Sequence, residues 1–400
     1  MTDLKFERDV AATMENSGVK SEVVVPKKER FGFVDQFRGI TILFFVLADV
    51  TWSWSGNLTA TPPVLPVGPT WFNHGWKYYD FNPKPMITLI DIGQLLFVFV
   101  MGLMIPLAWK RHVERGGVRM AVGQLAVRTA FFYLIALVMA LDFDTGEVSL
   151  ESMFLTNTFA VLAAAMLGAT LVCVLVPDPD KRFWVNLALL VALAVLYALP
   201  GVRQWENSVF GVDDEIELIP LNLLGATVTC VQGGVVMQWF ANAEDKKVAF
   251  REKILKTSMF AWIACFVFDF FYPADHHAMN ASLVLMTIGA GGFLFAVFHV
   301  LESQFEFKAP GLDTFGRNTL LVFILALPIQ MVMWDVWGIQ DYKETAPAVA
   351  PAFGLLSAVI ILAYYYAILV PLDRRGFYFT PSVFLRLAKA KRKQREGEKP

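Results

Sequence analysis

MITLIDIGQLLFVFVMGLMIPLAWKRHVER, residues 86–115, is the stretch whose reading decides the fold. From Met86 to Ala108 it carries one charge, Asp91, and it then turns basic at Lys110, Arg111 and Arg115. A helix needs about 20 apolar residues to cross the hydrocarbon core of a bilayer, and an apolar run of that length closed by Lys and Arg reads as such a crossing. Besides this run over 86–108, similar runs lie near 37–54, 120–141, 153–176, 183–199, 219–240, 257–273, 281–301, 314–333 and 349–371. The expected fold is therefore all-α: a polytopic integral membrane protein with about ten transmembrane helices.

Composition agrees. Of the 400 residues 56% are apolar and only 18% charged, 35 are Phe, and the mean hydropathy is +0.51. A water-soluble domain could not hide so much apolar surface, whereas a bilayer removes the need. The net charge of −2 conceals an uneven distribution. Lys110, Arg111, Arg115 and Arg119 mark one connection, Lys181 and Arg182 another, and Lys246, Lys247, Arg251 and Lys253 a third. Arg374, Arg375 and the run Lys389 to Arg395 follow the last apolar segment. Acidic or neutral connections over 142–151, 206–217, 275–280 and 335–346 alternate with these. Lys and Arg are retained on the cytoplasmic side, so the alternation places both termini in the cytoplasm. The same pattern speaks for membrane orientation and against nucleic-acid binding.

The expected organisation is a flexible cytoplasmic tail over 1–35, a membrane domain over 36–373 with an external loop at 55–85, and a basic cytoplasmic tail over 374–400. The first tail is polar and lacks the apolar core of a signal peptide. Cys173, Cys230 and Cys265 sit singly in apolar runs, implying no disulfide framework, and no His, Cys or carboxylate spacing suggests a metal site. Membrane lipids are the implied surroundings, and a homodimer is compatible with the sequence.

A charge kept in hydrocarbon costs about 2.5–3.5 kcal/mol or more, so each one asks for a reason. Counted along the up-and-down path, Asp49, Asp91, Asn157, Asn222, Asp269, Asn280 and Ser282 fall at one depth, in the outer third of their helices. Such a layer points to a polar chamber open to the outside, with the aspartates weighted towards function. Each Asn or Ser taken singly is better explained as a hydrogen-bonding link between helices. His276 and His277 sit just above that layer, and His74 lies in the long loop that must fold back towards it. At the opposite depth, Arg38, Lys110, Arg111, Arg119, Arg317, Arg374 and Arg375 ring the cytoplasmic mouth. Ordinary retention of positive charge explains most of them. Arg128, two turns into its helix, and Arg317, between Gly316 and Asn318, are harder to dismiss, because guanidinium groups there could hold a phosphorylated cofactor.

These residues carry a resemblance. Asp35-Gln36-Phe37-Arg38-Gly39-Ile40-Thr41 is similar to the D-x-F-R-G-(I/L)-(T/A) start of the transmembrane acetyltransferases related to heparan-alpha-glucosaminide N-acetyltransferase and their bacterial relatives. Asp49 follows where that family usually has Asn. His74-Gly75-Trp76 resembles its His-Ala-x-Trp, Ile87 to Asp91 its L-T-x-x-D, and Asp91 to Gly102 keeps its Asp-to-Gly spacing. Asn280 to Leu285 resembles T-x-S-(Y/F)-V-L, and Phe315-Gly316-Arg317-Asn318 the late G-x-N. The chain departs from the pattern at Leu95, where the family has Pro, at Asn157 for a common Arg, at His276 for a usual Lys, and in about seven extra residues between His74 and Asp91.

The resemblance implies transfer of an acetyl or short acyl group from cytoplasmic acetyl-CoA or another acyl-CoA to a sugar or glycolipid acceptor on the outer side, in a bacterial inner membrane. Catalysis would fall to His74, Asp91 and Asp49, acceptor binding to Asn280, Ser282, Asp269 and His276, and CoA binding to Arg38, Arg128, Arg317 and Asn318. A rival from another class is a secondary transporter or proton-coupled carrier using Asp49, Asp91, Asp269 and Arg128 as a relay.

Overall fold

A computed structural model describes residues 31–55, 89–141, 148, 157–199, 201–202, 220–271, 274, 279–309, 311–332 and 350–379. The chain divides into Met1–Phe31 and Gly32–Pro400, and every element named below belongs to the second part. In chain order these are α1 Gly32–Ser55, α2 Leu89–Met139, α3 Thr158–Leu175, α4 Pro179–Ala198 and α5 Pro220–Asn242. Then come α6 Lys246–Phe271, α7 Ala281–Phe305, α8 Leu312–Arg317, α9 Thr319–Met331 and α10 Ala350–Arg374. Among the described residues the only β pairing is one isolated bridge between Leu141 and Val148.

Seven stretches among the described residues are long and apolar enough to cross a membrane: Ile92–Met139, Thr158–Leu175, Pro179–Ala198, Leu221–Asn242, Lys246–Phe271, Ala281–Phe305 and Leu356–Arg374. Large apolar side chains face outward on several of them, including Leu171 and Leu175 on α3, Trp184 and Val191 on α4, and Phe260, Phe266, Phe270 and Phe271 on α6. Apolar faces turned outward and polar groups turned inward are the make-up of a multi-pass membrane protein.

The helices run further than the apolar runs do. The polar stretch after Ala108 stays helical to the pair Gly116–Gly117, where Gly117 takes φ 72° and breaks the helix. At about 1.5 Å per residue, the 51 residues of α2 would measure more than twice a ~30 Å hydrocarbon core if they were straight. The break instead folds α2 into a hairpin: Arg128 on the second arm lies close enough to Arg111 on the first to feel its charge. Similarly, α6 begins at Lys246 and passes through a π-helical turn, Phe250–Leu255, before its apolar part.

α5 and α7 are mostly enclosed, whereas α4, α6 and α10 bury only a small part of their apolar stretches. α2 packs on α5 through glycine. A Cβ on Gly102 would lie 2.0 Å from the Cys230 carbonyl oxygen, and one on Gly233 would lie 2.0 Å from that of Phe99. Small residues let membrane helices approach until backbones touch, which gains dispersion contacts where the solvent is itself apolar. Gly102, noted above for its spacing from Asp91, thus has a packing role.

The α3–α4 turn is pinned by Arg182, buried to 1% exposure. Its Nε donates to the Val176 carbonyl at 2.9 Å, its Nη2 to the carbonyls of Val176 at 2.7 Å and Pro177 at 2.9 Å, and its Nη1 to Gln238. Its Nη2 also reaches the Cys173 carbonyl in the last turn of α3 at 3.3 Å; carbonyls at and just beyond a helix end lack donors within the helix, so the guanidinium caps α3.

Contacts between helix ends show which ends lie together. Phe33 at the start of α1 stacks edge-on against Phe240 at the end of α5 and Phe295 on α7, with ring centroids 5.5 and 5.0 Å apart. Asp373 on α10 meets Arg317 on α8. One end of the bundle therefore gathers Arg38, Lys246, Arg317 and Arg374, and is called the basic end below. The starts of α3, α5 and α7 lie at the other.

Candidate functional site

Two motifs from opposite ends of the chain interlock at the basic end. A Cβ on Gly39 would lie 1.9 Å from the Leu312 carbonyl oxygen, and one on Gly316 would lie 1.7 Å from that of Asp35. α1 and α8 thus touch backbone to backbone, and only glycine fits either place. Around this contact, Arg38 Nη2 donates to Thr319 Oγ1 at 3.2 Å, and its Nη1 lies 3.6 Å from Asp35 Oδ1. The Ala309 amide donates to Gln36 Oε1 at 2.8 Å. Asn318, fully buried, donates to the Thr314 carbonyl at 3.2 Å, while its Oδ1 is buried without a partner.

Arg317 has a different situation. Its Nη2 lies 2.8 Å from Asp313 Oδ2 and 2.5 Å from Asp373 Oδ2, and the guanidinium stands 5.8 Å from the Tyr378 ring centroid. Thr314 Oγ1 also donates to Asp373 Oδ2, at 3.0 Å. Two carboxylates offset this cation, so its clearest role is to tie α8 to the end of α10.

Arg128 lacks such compensation. Its electrostatic neighbours are Arg38 and Arg111, and no carboxylate accompanies it among the described residues. His112 stands near Arg128, Arg111 and Arg115. Three polar atoms in the α2 hairpin, His112 Nδ1, Gln124 Oε1 and Thr129 Oγ1, are buried with no hydrogen-bond partner. Neighbouring cations repel, so arginines gathered without a carboxylate favour an anion with several hydrogen-bonding oxygens. Phosphate has that chemistry. Sequence reading placed Arg111 in the cytoplasmic ring and passed over His112, Gln124 and Thr129, because nothing in their local pattern reveals that the second arm returns beside the first.

At the opposite end, several members of the expected polar layer have structural partners. Asn157 caps α3, its Oδ1 accepting from the Phe159 amide at 2.9 Å. Asn280 caps α7 by accepting from the Leu283 amide at 3.1 Å. Asn222 accepts from the Tyr197 hydroxyl at 2.9 Å. Asp269 Oδ1 accepts from the Ala274 amide at 2.7 Å, and Ser282, the second residue of α7, is fully buried. Gln94 on α2, which the sequence reading did not single out, reaches Thr158 Oγ1 at 3.5 Å. Asp49 and Asp91 occupy described positions on α1 and α2, but their side chains lie outside the described part, as do His74 and His276 altogether.

Three of the four residues expected to hold a cofactor, Arg38, Arg317 and Asn318, are brought together in one knot, with Arg128 within electrostatic reach of Arg38. Neither a family model nor a curated protein matches the chain. Among the described residues no group of three or more His, Cys, Asp or Glu could hold a metal ion.

Proposed function

We propose that the protein is a membrane acyltransferase of ten transmembrane helices, both termini cytoplasmic, that moves an acetyl or short acyl group from cytoplasmic acyl-CoA to a sugar or glycolipid acceptor on the outer side of a bacterial inner membrane. The observation that carries this reading is the arginine cluster. Arg128 is half-buried at the basic end without a carboxylate among the described residues, within electrostatic reach of Arg38 and Arg111 and close to His112, whose Nδ1 has no partner. These residues fit the phosphates of CoA, whose charge would offset the mutual repulsion of the cations. Asn318 Oδ1 adds an acceptor for a donor group of the same ligand. Arg317, already paired, would shape the site rather than bind phosphate.

On this reading His74 is the general base. It takes the proton from the acceptor hydroxyl or amine while that oxygen or nitrogen attacks the thioester carbonyl. The carbon–sulfur bond then breaks, and the thiolate leaves with the proton from the imidazolium. Asp91 or Asp49 orients the imidazole and stabilises its charged form. Asn280 and Ser282 stabilise the developing oxyanion, and Asp269 and His276 contact the acceptor.

Titration of the purified protein with acetyl-CoA tests the donor half. Saturating ligand should raise thermal stability, by about 2.7 kcal/mol at a hundredfold excess over the dissociation constant. Arg128→Gln should weaken binding at least about tenfold, equal to 1.4 kcal/mol. Absence of binding at millimolar acetyl-CoA overturns the proposal. For the chemistry, His74→Ala should lower transfer by about a hundredfold or more while leaving acetyl-CoA binding intact.

A further inference from the structure

A slot of about 790 Å³ opens on the side of the bundle between α1, α2, α6 and α7. Its walls are apolar: Phe44, Leu96, Trp262, Ile263, Phe266 and Phe293 line most of it, with Ala290 among the other residues around it. The slot is built into the helix packing. Gly289 on α7 leaves room for the Trp262 indole, since a Cβ there would lie 2.5 Å from Trp262 Cδ1. The Trp262 and Phe266 rings in turn stand 5.9 Å apart. Lining residues Ile263 and Phe266 are more than half exposed, at 60% and 67%, so the slot is open sideways to the surroundings of α6.

Its position relative to polar groups is the informative feature. Ile92 lines the slot, and the preceding residue on α2 is Asp91. Phe266 lines it too, and Asp269 follows three positions later on α6, one turn nearer the polar end on nearly the same face. An apolar slot that ends one turn short of the Asp269 carboxylate has the polarity of one molecule with a hydrocarbon chain and a hydroxylated head. At hydrocarbon depth, water is excluded from such a lining, and a volume within the about 300–1,000 Å³ of small-molecule pockets suits a single chain better than a protein segment.

We infer that this slot holds the hydrocarbon chain of a lipid-linked sugar, with the sugar presented at the level of Asp91 and Asp269. The acceptor is then a glycolipid drawn laterally from the membrane and not a free sugar arriving from water. This assignment of the acceptor rests on the acyl-transfer reading; the chain site itself does not.

The test uses full-length protein in phosphatidylglycerol nanodiscs and hexadecyl glucoside carrying a diazirine in its chain. After illumination, mass spectrometry should find the label concentrated on Met259, Trp262, Phe266 and Phe293. Unlabelled hexadecyl glucoside should compete, and methyl glucoside should not. Ala290→Trp, which fills the slot, should reduce labelling there at least tenfold. Ile263→Trp, at an exposed position that tolerates bulk, should do the same should Ala290→Trp not fold. Label spread evenly over the outward faces of α3, α4 and α6 overturns the inference, as does labelling unaffected by either substitution. Equal labelling by a diazirine phosphatidylglycerol in place of the glucoside overturns the commitment to a sugar head. Acetyl-CoA binding, measured on the same variants, should be unchanged. Its absence from the wild type would remove the donor reading while leaving the labelling result to decide the slot.

Discussion

At the scale of single residues, stability is set where backbone meets backbone and where a buried charge meets carbonyls. Gly316 has no space for a side chain against Asp35, so Gly316→Val must push α8 off α1. The expected loss is about 1–3 kcal/mol, the usual cost of overpacking, seen as a lower melting temperature in detergent. Acetyl-CoA affinity should fall in parallel, because Asn318 and Thr319 follow directly on α8. A melting temperature equal to wild type would show that the two backbones are not in contact. Arg182→Met keeps much of the volume but strips the last carbonyls of α3 of their donors, and should cost at least about 2 kcal/mol without affecting acetyl-CoA binding. Sequence alone made Arg182 one more positive-inside residue. Its burial depends on the turn that follows α3, which no charge pattern encodes.

At the scale of elements, two glycines in the second half of α2 make opposite predictions. Gly117 holds φ 72° at the break, a region costly for any residue with a Cβ; Gly117→Ala should destabilise by about 1 kcal/mol. Gly123 lies in regular helix with nothing within 4 Å of an added Cβ, and Gly123→Ala should stabilise by up to about 1 kcal/mol. Thermal denaturation of the pair would separate a break encoded by glycine from one imposed by packing. The same element shows what was readable beforehand. Each apolar run in the described region is helical in the structure, because burial in a bilayer leaves the backbone no other partner. Helix ends were not readable, since hydropathy reports where a helix leaves the apolar layer and not where it stops. Lys110 to Arg115 are competent helix formers and carry α2 on beyond that layer. Arg128 stood out in the sequence as a charge two turns into its helix. That Arg317 is offset by Asp373 was not readable, because the two lie 56 positions apart and meet only when α8 docks on α10.

At the scale of the whole molecule, the gathering of Arg38, Lys246, Arg317 and Arg374 at one end gives orientation a definite test. A reporter fused after Glu398 should be cytoplasmic, and one inserted near Ala60 should be external. An external carboxy terminus would change the parity of spans and move the arginine cluster away from cytoplasmic CoA. Salt gives a second check: acetyl-CoA affinity should drop as ionic strength rises, less steeply than for an exposed site, because a half-buried cluster is screened less than a surface one.

The seat of α8 on α1 also has a consequence for biosynthesis. Arg38 and Thr319 are 281 positions apart in the chain. At about 5–20 residues per second on the ribosome, α1 is finished roughly 14–56 s before its glycine-to-glycine partner emerges. Throughout that interval Arg38 has no Thr319, and Asp35, three positions upstream and 3.6 Å away, is the counter-charge available within its own helix. The first helix is thus equipped to wait in the lipid, and the contact closes only after α8 has been made.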